Sequence, residues 1–288
     1  MRTRIALTSL ALIVLAACSR TKPVVVGSKD SVEQQLLAEI ISQHLEHKGI
    51  PVQRRPTGGD TRTVHQTLID GGISLYPEYS GLIVSEILRE IPSPSPTITF
   101  ERARGEMQRI ELVEFFAPLG FSNPTALVIR SAGNETISIA SQAASSPTRW
   151  KIGLTYEFQN RPSALPSLNT YRLEMGAPLR SMNEQDLFKA MEDKDNPVNM
   201  VITNLTDAHI TLPAYKALED NLSSFPPAEA GILVRNDVLA AQPNLRGALL
   251  QLSGKFSVET MRKLNARVAL DQRPIPEVAA EFLKSAGL

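Results

Sequence analysis

Between Val24 and Tyr76, short β-prone runs alternate with helical apolar stripes, and that rhythm constrains the fold more than any other feature of the chain. Val24-Val25-Val26 reads as a buried strand, with a turn at Gly27-Ser28. A helix follows from Ser31, where Ser31 and Gln34 have capping-box spacing. Val32, Leu36, Leu37, Ile40, Ile41 and Leu45 share one face of it, and Gly49 ends it. Residues 51–55 form a second strand, Asp60 caps a helix through Asp70, and residues 73–76 form a third strand. This order argues for an α/β fold. Further helices are expected over 81–89, 101–116, 183–191, 245–253, 257–268 and 276–286. Further strands are expected over 125–129, 151–154, 199–203 and 231–234.

The length of 288 residues fits about two domains at roughly 100–200 residues each. Thirty basic residues balance thirty acidic ones, so the basic excess of a nucleic-acid binder is absent. The N terminus stands apart from the fold. Arg2 and Arg4 precede an apolar run over 5–17, too short for the roughly 20 residues a membrane span needs. It ends in Leu15-Ala16-Ala17-Cys18, which is similar to a bacterial lipobox. Residues 1–18 therefore read as a lipoprotein signal peptide, Cys18 as the lipidated residue, and 19–23 as a tether. Each buried acyl methylene contributes about 0.8 kcal/mol to anchoring. Cys18 is the single cysteine, so the body forms no internal disulfide. The expected location is extracytoplasmic: a lipid-anchored body in the periplasm or at the cell surface.

Motifs for catalysis are missing. No Gly-x-x-x-x-Gly-Lys loop, Gly-x-Gly-x-x-Gly turn or Gly-x-Ser-x-Gly elbow occurs. His44, Glu46 and His47 cluster on the first helix, but Glu46 points away from the histidines, and the group reads as a solvated face. His65 and His209 read as structural. No metal site, cofactor or enzyme activity is expected.

Three segments carry a resemblance. The first is Val26-Gly27-Ser28-Lys29-Asp30-Ser31-Val32-Glu33-Gln34. The second is Tyr76-Pro77-Glu78-Tyr79-Ser80-Gly81. The third is the C-terminal series Leu218-Glu219-Asp220, Phe225-Pro226-Pro227, Met261-Arg262-Lys263-Leu264-Asn265 and Val278-Ala279-Ala280-Glu281-Phe282-Leu283. Glu157-Phe158-Gln159-Asn160-Arg161-Pro162 is a weaker fourth. In this order they resemble the glycine betaine/choline/osmoprotectant substrate-binding proteins of ABC importers. The resemblance implies a two-lobed type II periplasmic-binding-protein fold, the Venus flytrap, with two hinge crossovers. Lobe 1 would be 24–122 plus 207–288, and lobe 2 would be 123–206. It also implies capture of a small solute between the lobes and delivery to ABC permease subunits, by a monomer that catalyses no reaction. A diverged receptor serving as an extracytoplasmic sensor or scaffold is the rival reading.

In that family tyrosines cage a trimethylammonium group while Lys and Arg meet a carboxylate. By resemblance Lys29 and Arg161 belong to the carboxylate end, and Tyr79 to the cage, with Tyr76 beside it. Phe188 stands at another cage position without a hydroxyl. Thr125 and Asn204 replace two further tyrosines, Leu82 replaces a threonine and Ser74 an aspartate. Asp207 caps a helix or the hinge. Loss of two aromatic walls removes about 1–4 kcal/mol of cation–π attraction, or roughly ten- to a thousandfold in affinity. A polar ligand such as an amino acid or a hydroxylated betaine fits as well as glycine betaine.

Overall fold

The computed structural model describes residues 22–161 and 164–288. The signal segment, Cys18, most of the tether and Pro162 lie outside the described residues.

Ten strands are present among them: β1 (Val24–Ser28), β2 (Val52–Pro56), β3 (Leu75–Tyr79), β4 (Val113–Phe115), β5 (Thr125–Arg130), β6 (Ile152–Thr155), β7 (Arg180–Met182), β8 (Met200–Asn204), β9 (Tyr215–Leu218) and β10 (Ala230–Arg235). They form two sheets, ordered β2-β1-β3-β10-β4 and β7-β6-β8-β5-β9. Each sheet contains one antiparallel strand, and the chain reaches it after a crossover: β10 in the first, β5 in the second. Every other pairing is parallel. Side chains on both faces of each sheet are buried, as parallel sheets require.

The first helix, α1 (Val32–His47), starts where the capping pattern places it. Ser31 Oγ accepts from the Gln34 amide at 3.4 Å, a cap worth about 1 kcal/mol. Leu36, Leu37, Ile40, Ile41 and Leu45 are all buried in the lobe 1 core, at roughly 1.5–3 kcal/mol each. Asp60 caps α2 (Thr61–Ile69) through the Thr63 amide at 2.9 Å. His44 is not on a solvated face. The helix Pro243–Leu250 covers that side of α1, and His44 Nε2 lies 2.9 Å from the Ala248 carbonyl. Burial pushes its pKa down, so the neutral ring donates that bond.

Two further expectations change. The helix expected over 101–116 begins earlier, at Pro96 behind the Ser95 cap, and breaks into a wider turn at Met107–Glu111. Leu112 then adopts a left-handed backbone, φ 53°, and the chain enters β4 against β10. A short apolar run does not by itself distinguish strand from helix. The second correction concerns the lobe boundary. β9 pairs with β5 from Leu127↔Leu218 to Arg130↔Tyr215, and Phe225 sits in the lobe 2 core. The chain therefore leaves lobe 2 between 219 and 229, not at 206.

The two crossovers, 116–124 and 219–229, run side by side. The Asn123 amide donates to the Ala228 carbonyl at 2.9 Å, and Ala230 to Phe121 at 3.0 Å. Gly81 lies tight beneath them: a Cβ there would come within 2.3 Å of the Pro227 carbonyl oxygen, which explains a glycine at the end of the Tyr-Pro-Glu-Tyr-Ser-Gly run. Each lobe keeps its own apolar clusters. The lobes meet through polar groups, the usual setting for relative domain motion.

Candidate functional site

A crevice of about 880 Å³ separates the lobes. A smaller, largely apolar cavity of about 450 Å³, near Leu165 and Leu173, belongs to lobe 2 alone and gathers no comparable set of polar groups.

The lobe 1 wall is built at the C-terminal ends of β1 and β3. Lys29 follows β1 directly, and its ammonium is 2.6 Å from Glu78 Oε1 and 3.1 Å from the Thr61 hydroxyl. Glu78 is fully buried and also accepts from the Tyr79 amide at 2.8 Å. Lys29 thus lines the crevice already neutralised. Its Nζ lies 5.4 Å from the centroid of the Tyr79 ring, so an internal cation occupies one approach to that ring. The Tyr79 hydroxyl donates to Glu33.

Glu33 is the centre of the crevice floor. It accepts from Tyr79 and Thr206 hydroxyls, from Asn123 Nδ2 at 2.8 Å and from Asn265 Nδ2 at 2.6 Å. Burial pushes its carboxyl up, and these four hydrogen bonds draw part of that back. Its donors come from lobe 1, a crossover, the turn after β8 and the helix Val258–Ala269. One carboxylate therefore ties together β3, the first crossover, the turn after β8 and the helix Val258–Ala269. Arg262 of the same helix adds a 2.7 Å bond to the Leu205 carbonyl.

The lobe 2 wall lies at the C-terminal ends of its parallel strands, where α/β sheets commonly bind ligands. β6 leads into the helix Tyr156–Asn160, capped by Thr155 Oγ on the Phe158 amide at 3.0 Å. Glu157 and Arg161 lie one turn apart, joined at 2.7 Å. Burial pushes the Glu157 carboxyl up, but the Arg161 guanidinium outweighs it and leaves the group below its ordinary range. β7 runs beside β6 with Thr155 opposite Met182, so Glu184 emerges next to Tyr156 and Glu157. Desolvation by the crevice walls, then the charges of Asp207, Glu157 and Glu33, push Glu184 up to about 7. Its side chain still meets crevice solvent, so the shift depends on how closely the lobes approach. Asp207 caps the turn after β8 through the His209 amide at 2.8 Å and accepts from Thr203 at 2.6 Å.

Of the residues singled out from the sequence, Lys29, Tyr79, Thr125, Arg161 and Asn204 line the crevice together. Tyr76 and Phe188 do not. Tyr76 points to the opposite face of β3 and is fully buried in the second lobe 1 cluster, as strand alternation requires once Tyr79 faces the crevice side. Phe188 is buried in lobe 2, stacked on His209 with ring centroids 3.9 Å apart. His209 itself reaches the crevice. Sequence reasoning left Glu33, Tyr156, Glu157, Glu184 and Asn265 without a role. Four of these sit inside or beside the quoted motifs; Glu184 carries no sequence signal at all.

A model of the substrate-binding domain of ABC-type glycine betaine transport systems matches residues 22–285. The chain belongs to this family. Within it, the chain is 31% identical over 274 residues to the ergothioneine transport permease/ergothioneine binding protein EgtU of Helicobacter pylori, covering 93% of this chain and 48% of that protein. The chain thus spans about half the length of that relative. It is 26% identical to the glycine betaine-binding protein YehZ of Escherichia coli, covering 96% of each. A solved glycine betaine/carnitine/choline ABC transporter structure superposes with a TM-score of 0.80 at 22% identity, over 92% of this chain and 98% of that one. That likeness establishes the two-lobed binding-protein fold.

Proposed function

We propose that this chain is the extracytoplasmic receptor of an ABC importer and that it captures a small zwitterion between its lobes. The observation that carries this reading is that Arg161 of lobe 2 lines the same crevice as Lys29 and Tyr79 of lobe 1. A guanidinium offers a planar fork of donors that matches a carboxylate, and Glu157 occupies only part of that fork. Three relatives carry names that mention ergothioneine, glycine betaine and carnitine. Each of these solutes has a carboxylate and a trimethylammonium group. In this reading the solute carboxylate meets Arg161, Thr125 and Asn204 contact the solute, and Tyr79 lends the flat face of its ring.

Closure follows if the solute binds the closed lobes more tightly than the open ones. The closed form then docks on permease subunits. Lipidation at Cys18 would keep the receptor, as a monomer, beside its permease.

A thermal-shift screen of the mature domain tests the proposal. Glycine betaine, L-carnitine, ergothioneine, choline and neutral amino acids form the panel. A true solute at 100 times its dissociation constant adds about 2.7 kcal/mol and raises the melting temperature accordingly. If no zwitterion in the panel raises it, or if choline alone does, the carboxylate-centred reading is wrong.

A further inference from the structure

The crevice has an excess of acid groups, and most of them are occupied. Asp30 accepts from Gly59, Glu33 from four donors, Asp60 from Thr63, Glu86 from Arg62, Glu157 from Arg161, and Asp207 from Thr203 and His209. Among the described residues, only Glu184 of the crevice carboxylates has no side-chain hydrogen bond or ion pair. The crevice cations Lys29, Arg62 and Arg161 each already hold a carboxylate.

Two aromatic positions expected in the same space lack rings, while Tyr79, Tyr156, Phe158, Phe225 and His209 still line it. Thr125 and Asn204 replace rings, and Phe188 is spent on His209. A second, independent sign of a binding site lies on the floor. Gln34 is 1% exposed, lines the crevice, and makes no side-chain hydrogen bond of ordinary geometry at either amide atom. Asn265 Oδ1 is likewise buried and unpartnered there. Buried polar atoms without partners are costly, and a small shift of the floor that lets a solute group reach them would relieve that cost.

We propose that Glu184 selects the positive end of the solute, so that a carboxylate charge acts there beside the crevice rings. This rests on the crevice being a zwitterion site. It assigns the solute class more narrowly: a molecule whose cation is separated from its carboxylate, reaching Glu184 while the carboxylate holds Arg161, with polar substituents facing Gln34 and Asn265.

The groups facing Glu184 fix the pH dependence. Asp207 and Glu157 press on it from the turn after β8 and the helix after β6, Glu33 from α1, and His209 opposes them. A solute cation favours ionised Glu184, so binding releases a proton near neutral pH and strengthens as pH rises from 6 to 8.

Calorimetric titration of the mature protein with glycine betaine, L-carnitine and ergothioneine, in two buffers of different ionisation enthalpy, reads both effects. The wild type should release a fraction of a proton per solute at pH 7. Glu184→Gln should abolish that release, flatten the pH profile and weaken each bound betaine about tenfold, while Glu184→Asp keeps the pH dependence. Binding of 3,3-dimethylbutyrate, the uncharged-headed isostere of glycine betaine, should not weaken in Glu184→Gln. If Glu184→Gln binds every betaine as the wild type does, with the same proton release, the assignment to Glu184 is overturned while the zwitterion site stands. If the wild type binds none of the three, the zwitterion reading itself falls, and this inference with it.

Discussion

On the lobe 1 wall, Lys29 is paired with Glu78, Tyr79 with Glu33 and Arg62 with Glu86. On the lobe 2 wall, Thr125, Asn204 and Glu184 make no side-chain hydrogen bond among the described residues, and Arg161 holds Glu157 at one nitrogen. The two walls therefore obey different economies. Lobe 1 pairs its charged crevice groups internally and presents a fixed platform, although the Gln34 amide and Asn265 Oδ1 on its floor stay unpartnered. Lobe 2 leaves Thr125, Asn204 and Glu184 without side-chain partners among the described residues. The cost of a buried charge explains the first: once Glu78 is shut away from water it needs its partner at all times. The solvent still present along lobe 2 explains the second for Thr125 and Asn204, while Glu184 lowers its penalty by keeping its proton up to about 7.

The contrast breaks most sharply at Lys29. Lys29→Met leaves Glu78 buried and unpaired, which costs roughly 3–5 kcal/mol. The melting temperature should fall by about 6–15 °C, with or without solute. An unchanged melting curve would show that the platform is not held by that pair. Next comes Arg161→Ala. Its partner Glu157 is half exposed, so stability should hardly change, whereas solute affinity should drop by roughly 2 kcal/mol or more. Titration calorimetry alongside a melting curve separates the two, and a variant that melts early but binds normally would reverse the roles assigned to the walls.

The smallest effect is a matter of sign. Glu184 in the folded chain holds its proton up to about 7, while an unfolded glutamate releases it near 4.3. The folded state thus binds more protons between these values, and stability at this site is lost as pH rises through the window. Glu184→Gln removes the dependence. The melting temperature of the solute-free variant, relative to wild type, should climb between pH 5 and 7 and level off above. A constant difference across that range would mean that the neighbouring carboxylates do not act on Glu184.

Much of lobe 1 was legible in the chain because its signals are local. The Ser31 and Asp60 caps, the α1 stripe and the β1 and β3 runs each specify themselves within a few residues. Lobe 2 is less legible for the opposite reason. β7 and β9 are three and four residues long, and only their sheet partners make them strands. The motifs alone therefore put the return crossing at 206, although the strand Tyr215–Leu218 still belongs to lobe 2. The site divides in the same way. Lys29, Tyr79 and Arg161 were visible through motifs, and all line the crevice. Tyr76 and Phe188 looked equally good as letters, and only the facing of β3 and the stack on His209 remove them. Glu184 gains its character from Asp207, Glu157 and Glu33, residues that no local window brings together.

The Glu33 knot has a mechanical consequence. If the lobes swivel about the crossovers as proposed, a group anchored there has almost no lever arm, and the Tyr79 ring would keep its place at any gape of the jaws. Probes for the swing belong far out on the rims of the jaws, and a reporter set on Tyr79 would register arrival of the solute while staying blind to the bite.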